Sequence, residues 1–398
     1  MQEYKDIGRG RSARQVFGLN QIDIVPSRRT RSSRDVDTSW RIDAYDFDFP
    51  IMTHPTDAVV SPEFAIEFGK AGGLPVINAE GLWGRAKDLD AAFGEIVSAA
   101  ERGYFGSFNE GADEDVAAEA LETPEFAANQ VLQRLHQQPL DLDLLQERLQ
   151  QVRDSGVRFA VRVSPQRARE LAPTLIAGGI DLLVIQGTLI SAEHVDTDGE
   201  PLNLKEFIGS LDVPVIAGGV VDYTTAMHLM RTGAAGVLVG FGGGAVSATR
   251  ATIGVEAPMA TAIADVAEAR RDYMDESGGR YVQVIADGGM GTSGSFVKAF
   301  ALGADAVMLG APLARATEAP GKGMHWGAEA RHQTLPRGYR TNVGTVGALE
   351  EILYGPSHQA DGTTNFIGAL RRAMASTGYV DLKSFQRCGV AVNAHRGV

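Results

Sequence analysis

This chain of 398 residues has one cysteine, few aromatic residues and no long apolar run. Its single cysteine, Cys388, cannot form an internal disulfide, which is typical of proteins in a reducing compartment. No stretch of eighteen apolar residues occurs, so the sequence predicts no membrane span. The first residues (MQEYKDIGRGRSAR) lack the apolar core of a secretory signal. A cytoplasmic location is therefore expected.

Positive charge is also scarce, and the formal net charge is −13. An acidic chain repels nucleic acid, so no nucleic-acid partner is expected. The N-terminal arm, residues 1–48, is locally basic because of Arg9, Arg11, Arg14, Arg28, Arg29, Arg31, Arg34 and Arg41. Three interpretations of this arm stay open: a solvated segment, a subunit contact, or a wall of a site for an anionic ligand.

Short apolar runs that end at glycine recur along the chain. Residues 282–286 lead into Asp287-Gly288-Gly289, and residues 307–309 end at Gly310. This pattern is typical of a buried parallel strand that opens into a βα loop. Six earlier runs are further strand candidates, at residues 50–54, 74–78, 157–164, 181–187, 213–219 and 236–240, and the last three of these also end at glycine.

Helical segments separate these runs, for example at 62–71 and 224–231. The alternation predicts a parallel sheet with helices outside. Eight units favour a closed (β/α)8 TIM barrel, and an open doubly wound sheet is the alternative. We expect a single domain over 1–398, with a helical insert at 82–150 after strand two. A short flap and C-terminal tail at 337–398 should hold helices at 365–377 and 381–387.

The glycines after the last two strands indicate a phosphate site. Glycine lets backbone N–H groups approach a phosphate closely, and the loops after the last two strands of a TIM barrel are the usual place for one. The sixth strand leads into a third glycine-rich loop, GFGGGAVSATR. Such a loop can wrap a ligand or coordinate a cation through its carbonyl groups.

Together these stretches resemble the IMP dehydrogenase/GMP reductase family, above all its bacterial IMP-dehydrogenase-related members without regulatory domains. The resemblance covers roughly residues 19–80 and 150–385. It rests on DIVPSRRTRSSRDVD, PIMTHPTDAVVSPEFAIEFGKAGGL, GFGGGAVSATR, VIADGGMGTSGSFVKAFALGADAVMLGAPLARATEAPG and GALRRAMASTGYVDLKSFQ. It implies a TIM barrel that lacks the paired cystathionine-β-synthase-type (CBS) modules.

The resemblance also implies a site for a purine nucleoside monophosphate (IMP, XMP or GMP). Asp287 would bind the ribose hydroxyls. The phosphate would be held by the backbone N–H groups of Gly288, Gly289, Gly310 and Ala311. Ala245, also a substrate-binding position, stands where the family has a phosphate-contacting serine. NAD or NADP would be bound by Gln186, Gly187, Thr188 and Gly240. A potassium ion would be coordinated by the backbone carbonyls of Gly242, Gly244 and Ser247.

The chain departs from the family pattern at the reacting centre. Ser247 stands where the family has the cysteine that attacks C2 of the purine, whereas Thr249 matches a family threonine. Gln186 replaces an aspartate of the dehydrogenases. A serine hydroxyl needs an adjacent base to become a nucleophile, and the loop contains neither His nor Lys. We therefore expect low turnover.

Three functions follow from the resemblance. The first is oxidation of IMP to XMP with NAD by a homotetramer or octamer. The second is GMP reduction to IMP with NADPH. The third is purine-nucleotide binding without catalysis, by a regulator or by a partner of a related enzyme.

Other conspicuous residues have plainer interpretations. His54, His194, His325 and His332 lack metal-ligand spacing, which predicts loop or surface histidines. Asp265, Arg270 and Asp272 follow strand six and are expected on a solvated helix face.

Overall fold

The computed structural model describes residues 3–104, 124–187, 193–194, 202–331 and 340–393. Its centre is one sheet of eight parallel strands. The strands are β1 (Ile51–Thr53), β2 (Val76–Asn78), β3 (Ala160–Val163), β4 (Leu182–Gln186), β5 (Val215–Val220), β6 (Gly236–Val239), β7 (Gln283–Asp287) and β8 (Ala306–Leu309). Their order in the sheet is β1-β8-β7-β6-β5-β4-β3-β2.

The sheet closes where β1 meets the segment that leads into β2. Met52 and Leu74 form a parallel bridge. The Leu74 N–H donates to the Ile51 carbonyl and the Thr53 N–H donates to the Leu74 carbonyl, each at 3.1 Å. The predicted eight-stranded TIM barrel is confirmed, and the open-sheet alternative is wrong.

Side chains fill the barrel interior, as is usual for this fold. The hairpin Trp40–Ile42 and Tyr45–Phe47 packs against the same interior cluster. The indole N–H of Trp40 donates to Oε1 of Gln283, the first residue of β7, at 3.1 Å. The hairpin therefore covers the amino end of the barrel and leaves the carboxyl end for a ligand.

Fourteen α-helices occur among the described residues. Several begin at a side-chain cap: Ser61 accepts from Phe64 N, Asp222 from Thr225 N and Thr292 from Ser295 N. The helices are α1 (Pro62–Lys70), α2 (Leu89–Tyr104), α3 (Pro124–His136), α4 (Leu142–Asp154), α5 (Ala168–Ala177), α6 (Leu204–Gly209), α7 (Tyr223–Met230), α8 (Thr249–Ile253), α9 (Met259–Glu276), α10 (Ser293–Ala301), α11 (Ala311–Ala314), α12 (Leu349–Tyr354), α13 (Phe366–Ser376) and α14 (Leu382–Phe385).

Between β2 and β3 the chain is helical. Helices α2 and α3 pack on each other, and α4 packs on α1. Residues 105–123 of the predicted insert lie outside the described residues. None of the described helices is both long enough and apolar enough to cross a membrane.

Short elements outside the barrel complete the described chain. Antiparallel pairs join Tyr4–Gly8 to Arg11–Arg14, Ile22–Val25 to Gly389–Val392, Glu193–His194 to Leu202–Asn203, and Met324–Trp326 to Arg340–Asn342. Four 3₁₀ turns lie at Leu19–Gln21, Ser33–Asp35, Leu82–Gly84 and Ala328–Arg331.

Two aspartates repeat one structural role in the barrel. Each directly precedes a strand, and its carboxylate accepts a hydrogen bond from a backbone N–H in the neighbouring strand or in the residue just before that strand. Asp181 Oδ2 accepts from Phe159 N at 3.0 Å, and Asp305 Oδ2 accepts from Val284 N at 2.8 Å. These carboxylates therefore tie the amino ends of adjacent strands together.

The expected solvated face of α9 is wrong for Arg270, which is buried. Its Nη1 lies 2.5 Å from Asp305 Oδ2, and its guanidinium carbon lies 5.0 Å from the centroid of the Tyr281 ring. Asp265 forms an ion pair with Arg14 of the N-terminal arm. A basic residue of the arm is thus docked on the barrel.

Candidate functional site

A cavity of about 930 Å³ lies at the carboxyl ends of the barrel strands. Loops that follow β1, β2, β3, β4, β6, β7 and β8 contribute to its wall. This is the end of a TIM barrel where active sites are found, and the volume falls in the range of small-molecule sites.

The predicted phosphate residues meet in this cavity. Gly288 and Gly289 have φ values of +101° and +81°, in the region that favours glycine. The loop after β6 approaches them so closely that a Cβ on Gly288 would lie 3.2 Å from the backbone N of Gly244. Gly310, Ala311 and Ala245 line the same cavity. We call Gly288, Gly289, Gly310, Ala311 and Ala245 the phosphate cradle.

Asp287 and Gln186 contact each other across the barrel mouth. Gln186 Nε2 donates to Asp287 Oδ2 at 2.8 Å and lies 3.7 Å from Met308 Sδ. Burial raises the pKa of Asp287, while His54 and the Gln186 hydrogen bond oppose that rise. The predicted substrate residue and the predicted cofactor residue are therefore direct neighbours.

The loop after β6 carries the predicted catalytic residues. The hydroxyls of Ser247 and Thr249 hydrogen-bond to each other, and Thr249 is buried. The Ser247 N–H donates to the Gly244 carbonyl at 3.0 Å. Among the described residues, the Ser247 hydroxyl has no hydrogen bond with a histidine, a lysine or a carboxylate.

Most of the residues predicted to contact the cofactor or a potassium ion also lie at this cavity. Gly187, Gly240 and Gly242 line the cavity. A Cβ on Gly240 would collide with the carbonyl oxygen of Asp287, so this position requires glycine. Thr188 lies outside the described residues.

Four histidines were predicted to be loop or surface residues. His54 does lie in the loop after β1, but the prediction is wrong for His325, which is a buried strand residue. Both line the cavity, and their rings stand perpendicular with centroids 6.4 Å apart. His325 is 3% exposed. Nδ1 of each ring is buried and has no hydrogen-bond partner among the described residues. His332 and the His194 side chain lie outside those residues.

Burial disfavours the protonated form of both rings. It lowers the pKa of His54, although Asp287 opposes the shift. Burial and the neighbouring His54 lower the pKa of His325 to about 3. No local sequence signal marks the pair, because the residues come from distant parts of the chain.

Glu80, a buried carboxylate, organises the opposite wall of the cavity. The sequence analysis did not single out this residue. Glu80 Oε1 accepts from Ser164 N at 2.5 Å and lies 3.4 Å from Arg162 Nη1. Glu80 Oε2 lies 3.9 Å from Arg331 Nη2. Arg162 Nη2 also donates to the Gln186 carbonyl at 2.8 Å. We call Glu80, Arg162 and Arg331 the arginine wall; its net charge is positive.

Comparison with known proteins identifies the family of this chain. A family model described as "IMP dehydrogenase / GMP reductase domain" matches residues 17–351. The chain belongs to this family. A member from Mycolicibacterium smegmatis, named an uncharacterized oxidoreductase, is 54% identical over 98% of this chain and 100% of its own.

Two further relatives match very different shares of this chain. The crystal structure of an IMP dehydrogenase/GMP reductase-like protein from Corynebacterium glutamicum has 58% identity and a TM-score of 0.88, and the match covers 98% of each chain. An inosine-5′-monophosphate dehydrogenase from Thermoplasma acidophilum is 39% identical over 43% of this chain and 32% of its own.

Protonation of His325 should destabilise the protein in acid. The pKa of His325 in the folded state, about 3, lies below its ordinary value of 6.5, so between these values the unfolded chain binds more protons. The free energy of unfolding should fall as pH drops from 6.5, by about 2 kcal/mol at about pH 5 from His325 alone. The raised pKa of Asp287 acts in the opposite direction.

Urea unfolding at about pH 7 and about pH 5 checks this prediction. The variant His325→Asn should lose less stability on acidification than the unchanged protein. Equal losses in the two proteins would show that His325 does not titrate between the folded and unfolded states.

Proposed function

We propose that this chain binds a purine nucleoside 5′-monophosphate above β7 and β8 and oxidises or reduces it with NAD or NADP. The observation that carries the proposal is Asp287 beside the phosphate cradle, in one cavity with the Ser247 loop. The favoured reaction is that of IMP dehydrogenases: IMP, NAD⁺ and water give XMP, NADH and a proton.

The nucleotide would be recognised by complementary hydrogen bonds. An ionised carboxylate only accepts hydrogen bonds, which suits Asp287 to paired ribose hydroxyls. One of its oxygens already accepts from Gln186 Nε2. The backbone N–H groups of the phosphate cradle would hold the phosphate, as glycine-rich loops do elsewhere.

The residues around Gln186 fit a nicotinamide cofactor. The cavity continues from Gln186, Gly187 and Gly240 to the arginine wall. Guanidinium groups suit phosphate oxygens, so Arg162 and Arg331 would bind the cofactor's phosphates. When bound, the cofactor supplies the hydride acceptor or donor; Gln186 would orient its ring.

A potassium ion is a further part of the proposal. The carbonyls of Gly242, Gly244 and Ser247 would be its ligands. The Gly244 carbonyl already accepts from Ser247 N, but a carbonyl oxygen has a second lone pair for a cation. The potassium ion would thereby fix the loop that carries Ser247.

The chemistry at Ser247 favours a second candidate, a nucleotide-binding protein without turnover. Thr249 is the hydroxyl's only side-chain partner among the described residues, and a threonine is not a base. IMP oxidation and GMP reduction both begin with nucleophilic attack on the purine. The serine at position 247 therefore weakens the case for either reaction. We propose a homotetramer or octamer in the cytoplasm by resemblance to the family.

Two assays on the same sample test the proposal. Calorimetry should show binding of IMP, XMP or GMP, and Asp287→Ala should weaken it by about 100-fold, because a hydrogen bond to a charged group contributes about 1.5–3 kcal/mol. Nicotinamide absorbance should then be followed with IMP and NAD, and with GMP and NADPH, each with potassium. Binding without turnover supports the second candidate, and absence of binding contradicts both.

A further inference from the structure

We propose that His325 is the side-chain donor of the phosphate cradle and that its Nε2–H binds a phosphoryl oxygen of the nucleotide. This inference rests on the proposed function and adds to it His325, a residue that has no part in the binding scheme described above. The phosphate cradle has no side-chain donor of its own, because none of its residues carries a side-chain hydroxyl, amide or cation.

The ring of His325 lies against the cradle at Gly310. A Cβ built on Gly310 would be 2.8 Å from Nε2 and 3.2 Å from Cε1 of His325. The same Cβ would be 3.4 Å from the Cβ of His54. The Nε2 edge therefore borders the place where Gly310 would meet a phosphate, and no side chain at position 310 separates the two.

Burial selects the tautomer of His325. Its Nδ1 is buried without a partner among the described residues. A proton on Nδ1 would bury an unsatisfied N–H donor, and unpaired buried donors are rarer and less tolerated than unpaired acceptors. The proton therefore belongs on Nε2, which becomes a neutral donor at the cavity wall. The depressed pKa values of His325 and His54 agree with neutral rings.

The surroundings hold this ring in place. His325 belongs to the strand Met324–Trp326, which pairs with Arg340–Asn342. The Thr56 hydroxyl hydrogen-bonds to the Trp326 carbonyl, and His54 packs edge-on against the His325 ring. The other charged groups that act on the pair are Asp287 and Arg162, both through His54. A donor fixed in this way loses little conformational freedom when it binds its acceptor.

The consequence is selectivity for the phosphorylated ligand. A donor that contacts only the phosphate should strengthen nucleotide binding and leave nucleoside binding unchanged. The quantity to measure is therefore the ratio of the affinities for IMP and inosine, taken by calorimetry on the full chain. Inorganic phosphate serves as a third ligand that reports the subsite alone.

Three variants separate a hydrogen bond from a structural effect. His325→Leu should lower the affinity ratio by about 10-fold or more, because it removes the donor. His325→Gln should retain most of the ratio, since its amide N–H can replace Nε2–H. Gly310→Ala should lower the ratio as well, because its methyl group would lie only 2.8 Å from Nε2 and displace the ring. Inosine affinity should stay constant throughout.

The outcomes distinguish this inference from the proposed function. If the unchanged protein prefers IMP over inosine and His325→Leu keeps that preference, the inference is overturned while the proposed function stands. If the unchanged protein binds IMP no better than inosine, the phosphate cradle itself is refuted. Should His325→Leu fail to fold, an undiminished ratio in Gly310→Ala would overturn the inference.

Discussion

Replacing Ser247 with cysteine should raise nicotinamide-dependent turnover by about 100-fold or more. This corresponds to lowering the activation free energy of the reaction by roughly 2.7 kcal/mol. A thiol is a few per cent ionised near neutral pH and is strongly nucleophilic, whereas a serine hydroxyl needs a base. The only side-chain partner of the Ser247 hydroxyl among the described residues is Thr249. The missing thiolate should therefore limit the rate.

The control is Ser247→Ala, which removes the hydroxyl. All three proteins should bind IMP with similar affinity, since the phosphate cradle and Asp287 are unchanged. Turnover of Ser247→Ala at the level of the unchanged protein would show that the serine takes no part in the chemistry. If Ser247→Cys binds IMP but stays as slow as the unchanged protein, the nucleophile is not what limits turnover.

The largest effect on stability should come from Asp305→Ala, which should lower the free energy of unfolding by about 3–5 kcal/mol. The carboxylate of Asp305 accepts hydrogen bonds from Arg270, Tyr281, Val284 N and Gln386. Arg270 is 5% exposed, so the variant leaves a guanidinium buried without its counter-charge. Urea unfolding of the variant measures the loss.

Asp181→Ala is the matched control, because Asp181 has the same role beside β3 and β4. Its cationic partner, Arg158, has a side chain that is 61% exposed and can return to water. We expect Asp181→Ala to cost less than half as much as Asp305→Ala. Equal costs would mean that the bond to the backbone N–H dominates at both sites, not the buried charge.

The barrel was predictable because its signals are local. The strands are short apolar runs, several of which end at glycine, and the runs at 282–286 and 307–309 became β7 and β8 within two residues. Capping residues also mark helix starts locally: Asn365 begins α13 by accepting from Gly368 N. Burial of both sheet faces makes such runs recognisable without knowledge of the fold.

Contacts across the barrel mouth were not predictable in the same way. Gln186 and Asp287 were assigned to separate ligands, yet they hydrogen-bond to each other. His54 and His325 meet only because β1 lies beside β8 and the strand Met324–Trp326 folds over them. Nothing in the neighbouring sequence of either histidine reports this closure. The buried position of Arg270 was missed for the same reason, because its partner Asp305 lies on another segment.

The pairing of Ile22–Val25 with Gly389–Val392 has a consequence for how the chain folds during synthesis. Cys388 and Val25 touch although they are separated by 363 positions. A ribosome adds about 5–20 residues per second, so the first strand waits tens of seconds before its partner emerges. Val25 keeps 41% of its surface exposed even in the folded protein. Until Gly389–Val392 emerges and pairs with it, this early strand offers an unpaired edge to any neighbouring nascent chain.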